Sequence, residues 1–354
     1  MKYIVIIVSL CLLLISGVQK MTLDDLSLIQ GLGFDPYEPG LIKGIAVSPI
    51  YEKDQPVKDD ILTAVSDISR DIISDLEKQS DSPLGRGKLT TVIFNKVLAE
   101  RGISEQIDAL QRDPKVGSRI YLAISRNKAE EVLSKYYGRK GTPYFISSMI
   151  EQNIEYGDLP RTNLHVFLFL LNLTGGDVYL PILSLNRKDS IEIDGLALFK
   201  GQTMIGEIGR DHLFFFKLLT DGHVKGEHTV TLKEKTKAAI RSIASKRTFS
   251  LINNDIHDVK YTIKVTGIIE EYTGNKLDRK KLKGIERKFE KDIKNKCTEL
   301  IHTFRDLKID PLAISEQIEW KTGHYNKEDL YRDYDQLKVD FDVDVNITQS
   351  GVIE

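Results

Sequence analysis

The sequence is poor in cysteine and tryptophan, and its charge has no excess of either sign. Of 354 residues, two are cysteine and one is tryptophan, and 50 Lys+Arg stand against 52 Asp+Glu, for a net charge of -2. Two cysteines exclude a disulfide framework and a cysteine-rich zinc or iron–sulfur site. Balanced charge argues against bulk binding of nucleic acid, which usually requires a basic excess. Ten prolines and 25 glycines exclude collagen-like and low-complexity classes.

Recognisable catalytic motifs are also absent from the sequence. No G-x-S-x-G or H-E-x-x-H pattern occurs. Leu84-Gly85-Arg86-Gly87-Lys88 resembles the end of a phosphate-binding loop, but Ser82 stands where that motif requires its first glycine. The seven histidines are scattered, and the closest pair, His223 and His228, is predicted to be exposed in a loop instead of binding metal. We therefore predict no catalytic residues, no metal site and no cofactor.

One long apolar run opens the chain. Lys2 precedes Tyr3–Ile15, which is almost wholly apolar. At about 13 residues the run is short for a membrane span and has the length of a signal-peptide core. Residues 1–20 are predicted to form a signal peptide or an N-terminal anchor, so the protein is expected to be exported and kept at a membrane surface or beyond.

The remaining length fits two domains, and apolar residues at 41% are sufficient for buried cores. Short strands alternate with helices, which predicts a mixed α/β (α+β) fold with mixed sheets packed against helices. We place an N-terminal α/β domain at residues 21–188. A C-terminal α/β domain follows at 189–354, with a further subdivision near 275 left open.

The predicted elements follow from apolar periodicity, turn residues and caps. In the first domain they are strands at 42–47, 89–94, 118–124 and 178–183 and helices at 57–76, 103–110, 127–136 (capped by Asn127), 142–155 and 163–171. The last of these helices is apolar all round and is expected to be buried. In the second domain they are strands at 191–199, 203–208, 227–232, 247–252, 259–271 and 339–347 and helices at 210–219 and 278–308.

The two closing elements have the clearest patterns. The long helix at 278–308 carries one apolar stripe that includes Phe289 and Cys297, and its remaining faces are rich in lysine and glutamate. Because acids are interleaved and aromatics are absent, we interpret these faces as solvated and not as a nucleic-acid site. The closing strand alternates apolar residues with Asp340, Asp342 and Asp344, so these aspartates are expected to face water.

Three segments, taken in order behind the apolar opening, resemble the Ger(x)C family, the C subunits of nutrient-germinant receptors in endospore-forming bacteria. Residues 23–35, LDDLSLIQGLGFD, resemble the family's opening, with its G-x-G-x-D turn. Residues 193–206 are similar to the hairpin G-x-A-[VL]-F-[KR]-x-x-[KR]-[LM]-[VI]-G. Residues 343–353 are similar to the closing V-x-V-x-V/I-x-x-x-G-L/I-I. The resemblance covers almost the whole chain, and it implies that Gly31, Gly33, Gly195, Gly201 and Gly206 are turn glycines.

The chain departs from the family pattern at two places. The family has a lipid-bearing cysteine after the small residues that end the signal, and here Val18 stands in that place, so no lipidation by that route is predicted. After the long helix, Ile309–Ile314 occupies the position of a Phe-Gly-Phe-Gly-like segment.

The resemblance implies a non-enzymatic subunit on the outer surface of the spore inner membrane, acting with membrane A and B subunits. It carries over no catalytic or ligand-binding residues, and it leaves open whether this subunit binds a small-molecule nutrient. Two alternatives remain from the residues themselves. They are an exported substrate-binding protein, which requires two similar lobes around a crevice, and a secreted cell-wall hydrolase, which requires a cleft with convergent ionisable groups.

Overall fold

The computed structural model describes residues 26–52, 57–173, 175–222, 224–232, 236–274 and 277–348. The predicted signal peptide or anchor at 1–20, with Val18, lies outside the described residues. The strands are β1 Ser27–Leu28, β2 Gly31–Pro36, β3 Ile42–Ile50, β4 Lys58–Ser66, β5 Leu84–Gly85, β6 Thr91–Asn95, β7 Tyr121–Ser125, β8 Tyr179–Leu185, β9 Ile191–Lys200, β10 Thr203–Gly209, β11 Gly226–Thr231, β12 Lys237–Leu251, β13 Asp258–Tyr272 and β14 Lys338–Thr348. The helices are α1 Ser69–Glu77, α2 Lys96–Arg101, α3 Ser104–Arg112, α4 Ala129–Leu133, α5 Thr142–Glu155, α6 Leu164–Asn172, α7 Arg210–Thr220, α8 Arg279–Leu307, α9 Ile314–Thr322 and α10 Lys327–Asp333.

Eight strands form one mixed sheet in the order β10-β9-β8-β7-β6-β2-β3-β4. The four central strands, β8, β7, β6 and β2, are parallel, and the flanking strands pair antiparallel. Helices α1, α2, α3 and α6 contribute to one buried cluster on this sheet, and α4, α5 and α7 contribute to another. Because helices cover the central strands on both faces, the sequences of these strands are nearly continuous apolar runs, as in β6 and β7. The predicted mixed α/β (α+β) fold is confirmed.

A second sheet has the order β11-β12-β13-β14, antiparallel except for the parallel pair β13–β14. Helix α8 lies against it, and the residues that α8 buries confirm the predicted stripe: Ile285, Phe289, Ile293, Cys297, Leu300, Ile301 and Phe304. The predicted register of the closing strand is also confirmed. Phe341, Val345 and Ile347 are buried, whereas Asp340, Asp342 and Asp344 are exposed.

Residue 188 lies in the turn between β8 and β9, two neighbouring strands of the larger sheet. The buried cluster that contains α4 and α5 also continues through α7 and α8 to the smaller sheet. The chain therefore crosses position 188 without leaving the larger sheet, and the division into domains at that position stays a prediction.

The helix predicted over 57–76 is wrong in its first half. Lys58–Ser66 is a strand that pairs along β3, and the helix begins only at Ser69. Ile61 packs against one buried cluster and the adjacent Leu62 against the other. A strand that buries residues on both faces lacks simple alternation, so its apolar spacing imitated that of a helix. The strand predicted at 247–252 is part of the longer β12, which begins at Lys237; two of its early buried positions are the small residues Ala238 and Ser242.

The predicted cap of α4 is also wrong. Helix α4 starts at Ala129, and its first backbone N–H groups donate to the carboxylate of Asp35, at 2.7 Å from Ala129 and 3.0 Å from Glu130. Asn127 instead accepts a hydrogen bond from the backbone of Leu185 at 3.1 Å. The acceptor comes from the end of β2, far away in sequence, so local spacing could not identify it.

Of the five glycines predicted to form turns, Gly201 does so, with φ +60° between β9 and β10. Gly31, Gly33 and Gly206 lie within strands, where a side chain would strike a neighbouring element. A Cβ at Gly206, for example, would lie 2.6 Å from Leu307 of α8. These three positions need glycine for close packing and not for a turn. Gly195, at φ +148°, lies within β9, where a Cβ would meet the Ile208 carbonyl oxygen at 2.2 Å.

Helix α6 is less buried than its composition predicted. Leu164 and Phe167 are buried, but Phe169 is 57% exposed. The helix covers an outer surface of the larger sheet, so only one of its faces can be buried.

Candidate functional site

Metal-ligating side chains in the described ranges do not converge. No group of three or more histidine, cysteine, aspartate or glutamate side chains is arranged there to hold a metal ion. His223 lies outside the described residues, and the prediction that His228 is an exposed loop residue is wrong. His228 lies on β11, where its ring stacks on Phe289 at 5.1 Å between centroids. Burial lowers the pKa of His228, so the neutral form of the imidazole is favoured. Cys297 is buried without a disulfide, as predicted.

A groove between α1 and α3 is a candidate for binding. Its volume is about 730 Å³, within the range typical of ligand pockets. The inner lining includes Leu32, Phe34 and Leu110, whereas Glu77 and Glu105 are exposed at its edge. Nothing in the sequence indicated this groove, because its walls come from separate elements that only the fold brings together.

A second cavity of about 550 Å³ adjoins the groove and shares Glu77 and Arg86 with it. It is lined by the segment Leu84–Lys88, whose β5 part pairs parallel with β1 near the first described residues. Arg86 Nε lies 2.9 Å from a carboxylate oxygen of Asp113, a residue that lines the larger groove. The two cavities together have apolar inner walls, and their lining includes the ion pairs Arg86–Asp113 and Arg112–Asp108.

The carboxyls with strongly raised pKa values lie away from these cavities. Burial raises the pKa of Asp310 to about 7 and that of Asp158 to about 6. Asp310 accepts hydrogen bonds from the backbone of Ile314 and Ser315, each at 2.8 Å, at the start of α9. Asp158 accepts one from the backbone of Glu227 at 3.2 Å. Both carboxyls secure backbone groups at junctions, which is a structural role.

Asp310 belongs to a buried junction between the larger sheet and the C-terminal helices. Its backbone N–H donates to Asp177 at 2.7 Å, and Lys327 Nζ donates to the same carboxylate at 3.2 Å. The hydroxyl of Tyr331 also donates to Asp177, which is only 2% exposed. A buried carboxylate with this many donors fixes the position of α9 and α10 relative to β8.

Comparisons with known proteins agree with this architecture. A family model described as "Spore germination protein N-terminal domain" matches residues 19–185. A second model, "Spore germination B3/ GerAC like, C-terminal", matches residues 194–351.

Two curated relatives are also spore germination proteins by name. Spore germination protein GerQC of Bacillus cereus is 32% identical over 360 aligned positions that cover 100% of both chains. Putative spore germination protein YfkR of Bacillus subtilis (strain 168) is 24% identical over 74% of this chain and 71% of the relative.

A solved structure titled "Crystal Structure of the GerBC protein" matches with a TM-score of 0.58, covering 94% of this chain and 99% of that chain at 16% identity. At that identity the match supports the fold alone. Along the described residues, no helix is both long and apolar enough to cross a membrane. The resemblance found in the sequence is confirmed, and the chain belongs to the GerAC-like, or Ger(x)C, family of spore germination proteins.

Proposed function

We propose that this chain is the C subunit of a nutrient-germinant receptor, acting without catalysis beside membrane A and B subunits to trigger germination. The observation that carries the proposal is the full-length match at 32% identity to GerQC, a named spore germination protein. Both family models match in the expected order along the chain. The proposed location is the outer surface of the spore inner membrane.

The alternative of an exported substrate-binding protein receives less support. Such a protein has two similar lobes around a ligand crevice. Here the two larger sheets have eight and four strands in different orders. The groove lies beside α1 and α3 on the larger sheet and not between two equivalent lobes.

A cell-wall hydrolase is also disfavoured. Hydrolysis requires ionisable groups that converge in a cleft. The strongly perturbed carboxyls Asp158 and Asp310 instead bind backbone N–H groups outside both cavities.

Deletion of the gene tests the proposed role. Spores without the chain should lose their response to one set of nutrients and keep their response to a trigger that bypasses nutrient receptors. Complementation with the wild-type gene should restore the nutrient response. A deletion strain that responds normally to every nutrient tested, in a background without related receptor genes, would contradict the proposal.

We further propose that the uncleaved segment Tyr3–Val18 anchors the protein, since Val18 stands where the family has its lipidated cysteine and no A-x-A cleavage site surrounds Ser16-Gly17. The intact mass of the protein from spore membranes should then equal that of a chain that begins at Met1. A mass equal to that of a chain that begins near Val18 would contradict the anchor. Incorporation of a labelled fatty acid would contradict it too.

A further inference from the structure

Helix α8 presents a row of cations to solvent. Lys280, Lys283, Arg287, Lys291 and Lys294 are all exposed and follow one another at steps of three or four residues. At 1.5 Å per residue the row is about 21 Å long and runs along one side of the helix. We call these five residues the α8 cation row. It lies on the side opposite the buried stripe, so its side chains point away from the protein.

The acids that are interleaved with these cations in the sequence do not lie in the row. Glu286 accepts a hydrogen bond from the backbone of Ile347 at 3.0 Å, and Glu290 accepts one from Val345 at 3.3 Å. Both carboxylates are therefore directed to strand β14. Asp292 pairs with Lys288 on the flank of the helix.

The cations of the row have little internal compensation, which comes from Asp278 at the start of the helix, near Lys280. None of the five forms an ion pair with any residue in the described ranges. The chain as a whole carries a net charge of -2, so the row is a local feature and not part of a general basic excess. A row of like charges without close ion pairs in the described ranges is complementary to an external anionic surface.

The shape of the row favours a flat partner. Gly284 lies on the same side, and a Cβ there would meet nothing within 4 Å. The row contains no aromatic side chain on which a base could stack. A straight row on a convex helix surface can place all five charges on one plane at once.

We propose that the α8 cation row binds the headgroups of anionic phospholipids, laying α8 flat on the membrane surface. This inference rests on the proposed location at the spore inner membrane. Basic residues close to an anionic bilayer attract it within about one Debye length, so the contact should weaken as salt rises. Large apolar residues are absent from the row, so the contact is electrostatic and involves no insertion into the bilayer.

Sedimentation of the full chain with lipid vesicles tests the proposal. One set of vesicles is phosphatidylcholine alone, and the other contains equal parts of phosphatidylcholine and phosphatidylglycerol. The N-terminal segment contributes to binding in both, so the ratio of the two partition coefficients isolates the effect of headgroup charge. We expect the wild-type ratio to be well above one at low salt and to fall towards one at high salt.

The variant K283E/R287E/K291E should lower this ratio roughly 10- to 100-fold at low salt. The matched control R139E/R187E/K188E reverses three exposed cations away from α8 and should leave the ratio close to wild type. If the α8 reversals impair folding, neutral K283Q/R287Q/K291Q should lower the ratio in the same direction by a smaller factor.

Three results would overturn the proposal. They are a wild-type ratio of one at low salt, an equal loss in the control variant, and tighter binding of the row to duplex DNA than to the anionic vesicles at the same salt. The assay contains no partner protein, so a negative result would contradict lipid binding by the α8 cation row and not the receptor role. The receptor role is tested separately by the response of deletion spores to nutrients.

Discussion

The larger sheet and the smaller C-terminal sheet differ in how many of their faces are exposed to solvent. This difference determines how well the sequence predicts their strands. Central strands of the larger sheet are covered by helices on both faces, whereas β14 buries one face and exposes its aspartates. Alternation and a single helical stripe therefore mark the C-terminal elements plainly. In the larger sheet, burial on both faces removes the periodicity, and contacts between distant segments decide the structure.

The largest expected effect concerns the C-terminal region, where the sequence pattern was most reliable. Phe289 on α8 is buried and stacks on His228. Phe289→Ala should lower the free energy of unfolding by about 3–5 kcal/mol, because it leaves a cavity and loses apolar burial. Chemical denaturation measures this change. Thr298→Ala on the exposed side of the same helix is the control, and a similar loss in both would contradict the assignment of the buried side.

Glycine substitutions at one packed position of the larger sheet and one exposed position of α8 should have effects of opposite sign. A Cβ at Gly33 in β2 would lie 2.8 Å from Leu133 and 3.1 Å from Ala129, so Gly33→Ala should cost about 1–3 kcal/mol of stability. Gly284 lies within α8 with open space around it, so Gly284→Ala should gain about 0.5–1 kcal/mol. Thermal unfolding of both variants checks the pair. A gain at Gly33 would show that α4 does not pack closely on β2.

The stability contributed by the contact between α5 and β11, where the larger sheet's helices meet the smaller sheet, should depend on pH. Asp158 follows α5 and accepts a hydrogen bond from Glu227 of β11, and burial raises its pKa to about 6. The folded protein thus holds this proton more tightly than the unfolded chain does. The stability this provides is present below about pH 4 and is lost as pH rises to about 6.

Asp158→Asn should remove that dependence. Denaturation curves at several pH values should show wild-type stability falling relative to the variant by roughly 1–2 kcal/mol across this window. A difference between wild type and variant that stays constant with pH would show that Asp158 titrates alike in the folded and unfolded states.

The same contrast explains what the sequence could predict. The fold class, the α8 stripe and the register of β14 followed from local patterns, because each depends on which side of one element faces water. The cap supplied by Asp35 to α4 and the close packing at Gly33 depend on partners elsewhere in the chain. The groove between α1 and α3 and the direction of Glu286 and Glu290 likewise depend on tertiary packing. In the sequence, Glu286 and Glu290 are interleaved with the cations of α8 and appear to neutralise them. In the structure these two carboxylates face β14 instead of lying in the α8 cation row.

Isolation of the tagged full chain from spore inner membranes, followed by mass spectrometry, tests the central claim most directly. A germinant-receptor C subunit should co-purify with two multi-span membrane proteins in constant ratio, and both should disappear when the chain is untagged. Recovery of the chain from the membranes without either multi-span protein, under conditions that preserve other membrane complexes, would contradict the proposed role.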